Sequence, residues 1–344
     1  MSTHHRDSTA ENRPEAVRPL PARVFAQLAD GSFHSGQALA ASLGVSRAAV
    51  WKAVRTLRVA GMVVHAVPNR GYRLAQAGEP LAAERILAQL SAPARDSVRR
   101  LETLWHADST NTVLLQRPNP PFGLTEIVLA EHQSAGRGRR GRAWLAPPGG
   151  AICLSLSWTF REVPADLGAL GLAVGVCVLR ALQAVGLSGA GLKWPNDVLV
   201  MGRKLGGILI ELRAESAGPA CVVIGIGLNA VLGEELLRRI ATLGLPATDL
   251  ASAGVTVSRN IIAAALVTHV LQGLPEFERA ALRPFLDEWR AADALRGAPV
   301  DVQTAAGTVR GLARGIDLHG ALLLETPQGV SRFISGEVTV RAAQ

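Results

Sequence analysis

Near the start of the chain, apolar residues recur at helical spacing in runs that follow each other closely. One run, Gly36–Leu43, comes after Ser35 as a possible N-cap and ends at Gly44. The next run spans residues 47–60 and comes after Ser46, another residue type that caps helices. The three-residue break between the runs has the length of the turn in a helix-turn-helix. This pattern therefore predicts a helix-turn-helix.

The second of these helices divides its residues between two faces. Its apolar side chains recur at helical spacing and should face the core: Val50, Val54 and Leu57. Another face carries cations and one aromatic ring: Arg47, Trp51, Arg55 and Arg58, with Lys52 beside them. Such a face is typical of a helix that binds in the DNA major groove, because arginine and lysine neutralise phosphates and reach guanine edges. A protein-contact surface with solvated charges is the alternative. The candidate DNA contacts are Ser46, Arg47, Trp51, Lys52 and Arg55.

A short hairpin is predicted after the helices. Residues 62–67 and 72–74 flank the turn Pro68–Gly71, in the position of a wing. Between residues 23 and 79 the chain has seven basic residues, whereas Asp30 and Glu79 are its only acidic ones. The positive charge is thus concentrated where DNA contact is predicted.

Beyond residue 80 the hydrophobic pattern becomes a mixture of strands and helices. Residues 80–98 are typical of a helical connector. Strand-like runs span 126–132, 151–158, 198–201, 208–212 and 221–226, and helical runs span 110–116, 167–185, 234–243 and 257–278. Strands and helices do not alternate strictly, so the pattern favours an α+β fold over a doubly wound sheet.

Short strands with glycine-rich turns follow residue 297, which predicts a small SH3-like β-barrel. These strands span 300–303, 308–316, 321–325, 330–334 and 337–341. The predicted organisation is a disordered tail (1–18), a winged helix-turn-helix (19–80), a central mixed α/β domain (81–296) and the SH3-like C-terminal domain (297–344).

Length, charge and cysteine content limit the possible classes. A chain of 344 residues exceeds the usual size of one domain. Its net charge of +8 favours polyanionic partners, although a merely soluble arginine-rich protein has the same composition. Three separated cysteines without a CxxC pair disfavour a disulfide framework or a zinc site and fit a reducing compartment. No secretory signal is visible, and the longest apolar stretch, 167–187, contains Arg180. We therefore expect a cytoplasmic protein in which this stretch is a buried helix rather than a membrane span.

The most distinctive segment for chemistry is Gly136–Trp144, in which glycines are interleaved with arginines. Glycine lets the backbone approach a ligand closely, and the arginines add fixed cations, which together suit a phosphate or a carboxylate. The segment also matches the G-x-G-x-x-G dinucleotide fingerprint, but the Ala-Pro-Pro-Gly-Gly run at 146–150 cannot begin the helix that this fingerprint requires. We therefore reject a Rossmann site, and an exposed basic loop without a ligand is the remaining alternative.

A second set of polar residues lies beside apolar strands. Lys193 and Lys204 are the only lysines after residue 52, and each can place a compact charge on a reacting phosphate or carboxylate. Asp197 can hold Mg²⁺ or orient an attacking amine. Surface lysines and a turn aspartate are the alternative. Ser109–Asn111 opens a helix and Gly225–Asn229 ends a strand. For the first the alternative to a ligand role is ordinary N-capping, and for the second it is a tight turn or a bulge.

Taken in order, these segments resemble the biotin–protein ligase family. The matching segments are Ser109–Asn111, Glu131–Trp144, Lys193–Asp197, Gly202–Leu212, Gly225–Asn229 and Arg314–Asp317. The helix-turn-helix makes the chain similar to the bifunctional members, which also repress biotin-synthesis genes. The resemblance implies a biotin–[acetyl-CoA-carboxylase] ligase that uses ATP and Mg²⁺. Biotin and ATP give biotinyl-5′-AMP and pyrophosphate, and a lysine of the biotin carboxyl carrier protein then displaces AMP. Operator DNA and a homodimer are also implied.

The resemblance also implies roles for individual residues. Those implied for biotin are Ser109, Thr110, Asn111, Gln133, Arg137, Gly138, Arg139 and Lys204. Those implied for ATP or the adenylate are Arg139, Arg142, Trp144, Asn229 and Arg314. Those implied for catalysis are Arg137, Lys193, Asp197 and Lys204. Mg²⁺ would come with the nucleotide, with Asp197 as its one candidate protein ligand.

Two other functions stay open at this point. One is a biotin-sensing transcription regulator with little catalysis, and the other is lipoate–protein ligation, because lipoate ligases look similar in fold. The intact arginine and lysine sets favour catalysis over sensing alone. The segments 136–142 (GRGRRGR) and 193–197 (KWPND) favour biotin over lipoate.

Overall fold

The computed structural model describes residues 18–75, 78–164, 166–213, 220–242, 246–304 and 307–340. It separates the chain into two compact units, residues 1–77 and 78–344. Of the tail expected at 1–18, only Arg18 lies within the described residues. The final residues of the helix expected at 234–243 and of the strand expected at 337–341 also lie outside them.

The N-terminal unit contains the predicted helix-turn-helix and wing. Its elements are α1 (Leu20–Leu28), α2 (Gly36–Leu43), α3 (Arg47–Val59), β1 (Val64–Val67) and β2 (Gly71–Leu74). Ser35 and Ser46 cap α2 and α3, since their hydroxyls accept the Ala38 and Ala49 N–H groups at 3.0 and 3.2 Å. Gly44 ends α2 with a φ of 66°, a left-handed conformation that glycine adopts without strain.

The wing is joined to the helices through a close backbone approach. His34 and Tyr72 exchange both backbone hydrogen bonds at 2.8 Å. Gly71 has a φ of 97°, and a Cβ atom there would lie 2.1 Å from the His34 carbonyl oxygen. Only glycine therefore permits this contact without moving the backbone.

The C-terminal unit begins with helices and then builds a mixed sheet. Its elements up to residue 291 are α4 (Ala83–Gln89), α5 (Ala92–Ser97), β3 (Val98–Ala107), α6 (Thr110–Leu115), β4 (Thr125–Gln133), β5 (Ala151–Thr159), α7 (Leu170–Ala184), β6 (Ala190–Lys193), β7 (Asp197–Val200), β8 (Arg203–Arg213), β9 (Cys221–Asn229), α8 (Glu234–Ala241), α9 (Arg259–Ala280) and α10 (Leu286–Ala291). The sheet has the order β3-β4-β5-β9-β8-β7-β6, in which β3 and β4 are parallel and the other pairs antiparallel. The expected strands and helices are confirmed, and β3, β6 and α10 are additional.

One face of this sheet packs on α7 and α9, and the opposite face carries small residues. In β5 the large side chains Ile152, Leu154 and Leu156 enter the core below the helices. In β9 the corresponding large residues are Ile224, Ile226 and Leu228. Because strand side chains alternate between faces, the residues between them face the other way: Cys153, Ser155, Gly225 and Gly227. This second face therefore has room for something other than a side chain.

The apolar segment Leu167–Ala184 is long and apolar enough to cross a membrane by composition, yet 61% of it is buried inside the protein. Its helical part, α7, packs against α9 and β8. This burial confirms the expectation of a core helix.

The C-terminal strands form a separate small antiparallel sheet. They are β10 (Pro299–Thr304), β11 (Gly307–Ile316), β12 (Leu322–Thr326), β13 (Gly329–Phe333) and β14 (Glu337–Val340), in the order β13-β12-β11-β10-β14. The indole N–H of the buried Trp194 donates to the Gly320 carbonyl at 3.0 Å, which fastens this sheet to the segment between β6 and β7. The expected small β-structure is thus confirmed.

A buried ion pair ties the entry of the C-terminal unit to its central sheet. Arg259 and Glu131 are each 6% exposed, with 2.9 Å between Nη2 and Oε2. Glu131 also accepts the N–H groups of Leu81 and Gly149 at 2.5 and 3.2 Å. Arg259 donates to the carbonyl oxygen of Ala151 at 3.1 Å. The two side chains therefore pair with each other and also with backbone N–H and C=O groups, as buried polar groups require.

Arg259→Leu should lower the free energy of unfolding of this unit by about 3–5 kcal/mol, because it leaves the Glu131 carboxylate buried and unpaired. Urea unfolding followed by tryptophan fluorescence measures the change. Arg238→Leu is the matched control, since Arg238 and Glu235 form an exposed pair and should contribute about 0–1 kcal/mol. Equal losses in the two variants would contradict the role given to the buried pair.

Candidate active site and nucleic-acid interface

A cleft of about 890 Å³ opens on the small-residue face of the central sheet. Its volume is in the range of small-molecule sites. The predicted site residues that line it are Ser109, Thr110, Asn111, Gln133, Arg137, Gly138, Arg139, Arg142, Trp144, Lys193, Asp197, Lys204 and Asn229. Five separate stretches of sequence are thus brought to one cavity.

The floor of the cleft consists of neighbouring small residues on adjacent strands. Cys153 faces Gly227 across β5 and β9, and Ser155 faces Gly225. A Cβ atom at Gly227 would lie 2.7 Å from the ring of Trp144, so the glycine lets the indole lie directly on the strand. The Gly225–Asn229 segment therefore provides a close approach of a side chain to the strand backbone.

The glycine- and arginine-rich segment folds into a tight hairpin over this floor. Arg137 and Ala143 form a β-bridge, and the Trp144 N–H donates to the Gly136 carbonyl at 2.8 Å. The turn between them includes Arg140 at a φ of 56°. A Cβ atom at Gly136 would lie 2.7 Å from the Trp144 carbonyl oxygen, so glycine is needed where the hairpin closes.

Two lysines share one carboxylate at the other side of the cleft. Asp197 Oδ1 lies 2.5 Å from Lys204 Nζ, and its Oδ2 lies 3.9 Å from Lys193 Nζ. The strands dictate this arrangement, because Lys193 pairs with Asp197 across β6 and β7, and Asp197 pairs with Gly207 across β7 and β8. A Cβ atom at Gly207 would lie 3.6 Å from Lys204 Nζ, so the lysine folds back over this glycine.

The surroundings of two cations in the cleft disfavour their protonated, charged forms. Burial lowers the pKa of Lys193; Asp197 opposes this shift and Lys204 adds to it. Burial also lowers the pKa of Arg139, with a further contribution from Arg140. A bound anion would relieve both effects, since it supplies the opposite charge near these groups. The cleft is therefore electrostatically suited to an anionic ligand.

The other end of the cleft carries neutral polar groups in a continuous network. Gln133 Oε1 accepts the N–H of Thr110 at 2.8 Å and lies 3.1 Å from its hydroxyl oxygen. Ser155 Oγ lies 2.7 Å from Thr110 Oγ1 and 2.5 Å from Asn111 Oδ1. Thr110, Asn111 and Ser155 are buried. Such a set of fixed donors and acceptors can orient the polar end of a ligand.

Arg314 is the one predicted site residue outside this cleft. It lines a separate small pocket with Arg290 and Asp293, and its guanidinium pairs with Glu325. Asn229 lies in the cleft, but its amide N–H also donates to the Thr248 carbonyl at 2.9 Å. It therefore fixes the neighbouring loop as well as lining the cavity.

The cysteines are buried core residues, as the sequence suggested. Cys153 lies on the cleft floor, and burial raises the pKa of its thiol to about 12. Burial raises the pKa of Cys177 to about 12 as well, and it raises the pKa of Cys221 above its ordinary value. A thiol with so high a pKa is not a nucleophile near neutral pH.

Two residues of the site were missed from the sequence. Ser155 lies inside an apolar run that indicates only a buried strand, and Glu211 lies at the end of β8. Glu211 accepts the Asn111 amide at 2.7 Å and the Arg137 guanidinium at 3.4 Å. The alternation of large and small residues along β5 was the available signal for Ser155.

In the N-terminal unit, α3 keeps its cationic face in solvent. Arg47, Lys52 and Arg55 are exposed, as is Trp51, whose ring lies 5.8 Å from the Arg55 guanidinium carbon. Ser46 is exposed and caps the helix. The buried positions are Val50, Val54 and Leu57, so the predicted division of faces is confirmed.

Arg58, which shares the cationic spacing of α3, has a structural contact. Its Nη2 and Nε atoms donate to the Val64 carbonyl at 2.6 and 3.1 Å. Arg58 therefore links α3 to β1, whereas Arg47, Trp51, Lys52 and Arg55 form the exposed face, which we call the recognition face.

Comparisons with known proteins identify all three parts of the chain. The profile of the Biotin/lipoate A/B protein ligase family matches residues 106–229, an HTH domain profile matches 23–73, and the Biotin protein ligase C terminal domain matches 297–341. The bifunctional ligase/repressor BirA of Escherichia coli is 37% identical over 94% of this chain and 98% of its own. The biotin–[acetyl-CoA-carboxylase] ligase of Mycobacterium tuberculosis is 38% identical over 70% of this chain and 89% of its own. The solved structure of the Aquifex aeolicus biotin protein ligase with biotin and ATP has a TM-score of 0.59 and 26% identity, and it covers 71% of this chain and 100% of its own.

Proposed function

Because the chain belongs to the biotin–protein ligase family and is similar to its bifunctional ligase/repressor members, we propose that it attaches biotin to a carrier protein and represses transcription. Biotin and ATP are its substrates, as supported by the ligase structure with both bound. The acceptor is a lysine of the biotin carboxyl carrier protein of acetyl-CoA carboxylase. The alternatives, a sensor without catalysis and a lipoate ligase, are not favoured.

One observation carries the enzymatic proposal: cations from two separate parts of the chain line one cleft. The hairpin at 136–144 supplies Arg137, Arg139 and Arg142, and the strands supply Lys193 and Lys204. The carboxylate of biotin and the triphosphate repel each other, so both must be neutralised before they react. Fixed cations in a partly buried cleft perform this task without reorganising.

In the first half-reaction, a carboxylate oxygen of biotin attacks the α-phosphorus of ATP. The bond from that phosphorus to the bridging oxygen breaks, and pyrophosphate leaves with the electron pair. We assign Lys204 to the carboxylate and the α-phosphate, since Asp197 fixes its ammonium group at 2.5 Å. Arg137, Gly138 and Arg139 close over biotin and the adenylate. Arg142 and Lys193 face the remaining phosphates.

The two ends of biotin need different surroundings. The neutral network of Ser109, Thr110, Asn111 and Gln133 suits a ureido ring, which carries two N–H donors and one carbonyl. We assign Trp144 and Asn229 to the nucleotide, with the indole as a flat apolar surface for adenine. Arg314 has a nucleotide role only if the ligand extends toward its separate pocket.

In the second half-reaction, the amine of the carrier lysine attacks the acyl carbon of the biotinyl-adenylate. The bond between that carbon and the phosphate oxygen breaks, AMP leaves, and the amine loses a proton. Asp197 is a suitable group to orient the amine, because a carboxylate accepts hydrogen bonds from it. The open cleft, rather than an enzyme nucleophile, lets the second substrate reach the adenylate.

Magnesium fits this cleft as a companion of the nucleotide. No group of three His, Cys, Asp or Glu residues that could hold a metal occurs in the described parts of the chain. Among the described residues lining the cleft, Asp197 is the one carboxylate, and it is paired with Lys204. We infer that Mg²⁺ would arrive on the triphosphate, with Asp197 as the one carboxylate that these lining residues could offer it.

The repressor half of the proposal depends on the recognition face. Its cations can neutralise DNA phosphates and contact base edges, and Ser46 at the start of the helix can contact the backbone. Helix-turn-helix proteins read two half-sites as dimers. We therefore include a homodimer on operator DNA, and a cytoplasmic location, in the proposal.

ATP–pyrophosphate exchange with biotin and lipoate offered separately tests the enzymatic proposal. We expect exchange with biotin and little or none with lipoate, because lipoate lacks the ureido N–H groups. The absence of exchange with either acid would indicate a biotin-sensing regulator without catalysis. Exchange with lipoate alone would indicate a lipoate ligase.

Lys204→Ala should slow adenylate formation by on the order of 10²–10³, as for other groups that stabilise transition-state charge. Single-turnover formation of labelled biotinyl-5′-AMP measures this rate. Lys52→Ala is the matched control and should leave it unchanged, since Lys52 lies on α3 of the N-terminal unit. An unchanged rate in Lys204→Ala would remove this residue from the mechanism.

Arg55→Ala should weaken operator binding and reduce the slope of log affinity against log salt by about one per subunit. Gel shifts on promoter DNA of the organism's biotin-synthesis genes, with biotin and ATP present, measure both quantities. Arg47→Ala should behave alike, whereas Arg238→Ala, on an exposed helix of the other unit, should change neither. Pyrophosphate exchange should be retained in all three. Absence of DNA binding by the parent protein would contradict the repressor proposal.

A further inference from the structure

A buried chain of hydrogen bonds follows the neutral end of the cleft. It runs from Asn111 through Ser155 and Thr110 to Gln133, at the distances given above. Ser155 is fully buried, and Asn111 and Thr110 are 3% and 4% exposed. Each buried polar atom needs a partner, so every donor in such a chain must meet an acceptor. The direction of one bond therefore constrains the direction of the next.

Glu211 determines the direction at the start of this chain. The Asn111 amide nitrogen lies 2.7 Å from Glu211 Oε2 and 3.4 Å from the Leu209 carbonyl oxygen. An ionised carboxylate and a carbonyl only accept, so the NH₂ group of Asn111 must face them. Its Oδ1 then faces Ser155, which must donate its single hydroxyl proton there. Ser155 then accepts the single hydroxyl proton of Thr110 at 2.7 Å, so the remaining lone pairs of Thr110, which lines the cleft, face the ligand.

The sheet provides the space that this arrangement needs. Asn111 lies over Gly225, the cross-strand neighbour of both Ser155 and Leu209. A Cβ atom at Gly225 would lie 2.4 Å from Asn111 Oδ1. A glycine in the middle of a strand weakens the strand. Gly225 is nevertheless needed here, because a larger residue would displace the amide of Asn111.

The second carboxylate oxygen of Glu211 accepts a hydrogen bond from Arg137 of the cationic hairpin. Arg137 Nη2 lies 3.4 Å from Glu211 Oε1 and 3.0 Å from Thr112 Oγ1. One carboxylate thus contacts both the buried chain and the segment that covers the cleft. Glu211 itself does not line the cavity among the described residues, so it acts through Asn111 and Arg137.

We propose that Glu211 is a positioning residue that makes the cleft selective for a ureido ring, by fixing the amide of Asn111 so that Thr110 and Gln133 offer lone pairs to ligand N–H groups. This inference rests on the proposed function, which supplies biotin as the ligand. A glutamine at 211 can donate as well as accept, so it no longer forces the amide of Asn111 into one orientation. In the reversed chain Ser155 donates to Thr110, and the Thr110 hydroxyl proton turns to Gln133 Oε1. Both Thr110 and Gln133 then have fewer lone pairs left for the ligand's N–H groups.

Glu211→Gln should raise KM for biotin in pyrophosphate exchange by about tenfold, with kcat at saturating biotin within about twofold. The effect falls on KM because the ureido contact is the same in the ground state and the transition state. Glu325→Gln is the matched control, since Glu325 pairs with Arg314 outside the cleft, and should change neither constant. An unchanged KM, or a fall in kcat alone, would overturn the inference.

A double-mutant comparison tests whether Glu211 acts through Asn111. In an Asn111→Ala background, Glu211→Gln should raise KM by no more than about threefold, which allows for its contact with Arg137. A full tenfold increase in that background would contradict the inference. If Asn111→Ala does not fold, Ser155→Ala replaces it as the background, because Ser155 is the next member of the chain. Failure of the proposed function itself is distinguishable, since the parent protein would then show no biotin-dependent exchange.

Discussion

The alternation of side chains between the two faces of a strand is the constraint on which this structure depends. In β5 and β9, large apolar residues on one face pack under α7 and α9, while the residues between them are small. The sheet can therefore bury a full core on one side and leave a cavity on the other. The small residues also let Trp144 and Asn111 lie directly on the backbone at Gly227 and Gly225. The cleft is thus a consequence of the same pattern that stabilises the fold.

Charge then differentiates the ends of this cavity. Lys193 and Lys204 meet at Asp197, a neutral network joins Thr110, Asn111, Ser155 and Gln133, and the arginine hairpin at residues 136–144 covers the cleft. Burial lowers the pKa of Lys193, which indicates that the site holds more positive charge than its surroundings readily accommodate. A bound anion supplies opposite charge near these groups and so stabilises their charged forms. An acid with an uncharged polar ring, joined to a nucleotide, matches both regions.

Much of the fold could be predicted from the sequence, because periodicity reports burial directly. The division of α3 between Val50 and its neighbours on one face and Arg47 on the other is an example. Strand β3 was not predicted because two consecutive arginines, Arg99 and Arg100, interrupt the alternation of apolar and polar residues along it. The strand lies at the edge of the sheet. The cleft residues could be selected because glycines and isolated lysines stand out in an apolar, arginine-rich chain.

Distances between remote segments could not be predicted. Arg314 follows the family pattern yet lies in a different pocket, and Arg58 has the spacing of a DNA contact yet binds the Val64 carbonyl. Glu211 was missed because its role depends on hydrogen bonds from Asn111 and Arg137, which are remote from it in the sequence. Such roles depend on tertiary contacts, which one-dimensional periodicity does not contain.

The central claim is that the arginine hairpin and the two lysines hold the reacting phosphate over the small-residue floor. A crystal structure with biotin and a non-hydrolysable ATP analogue tests it most directly. The claim requires a phosphate oxygen within about 4 Å of Arg139 or Lys204 nitrogen atoms, with the ureido ring beside Thr110 and Ser155. A structure in which residues 136–144 lie away from every phosphate would contradict it.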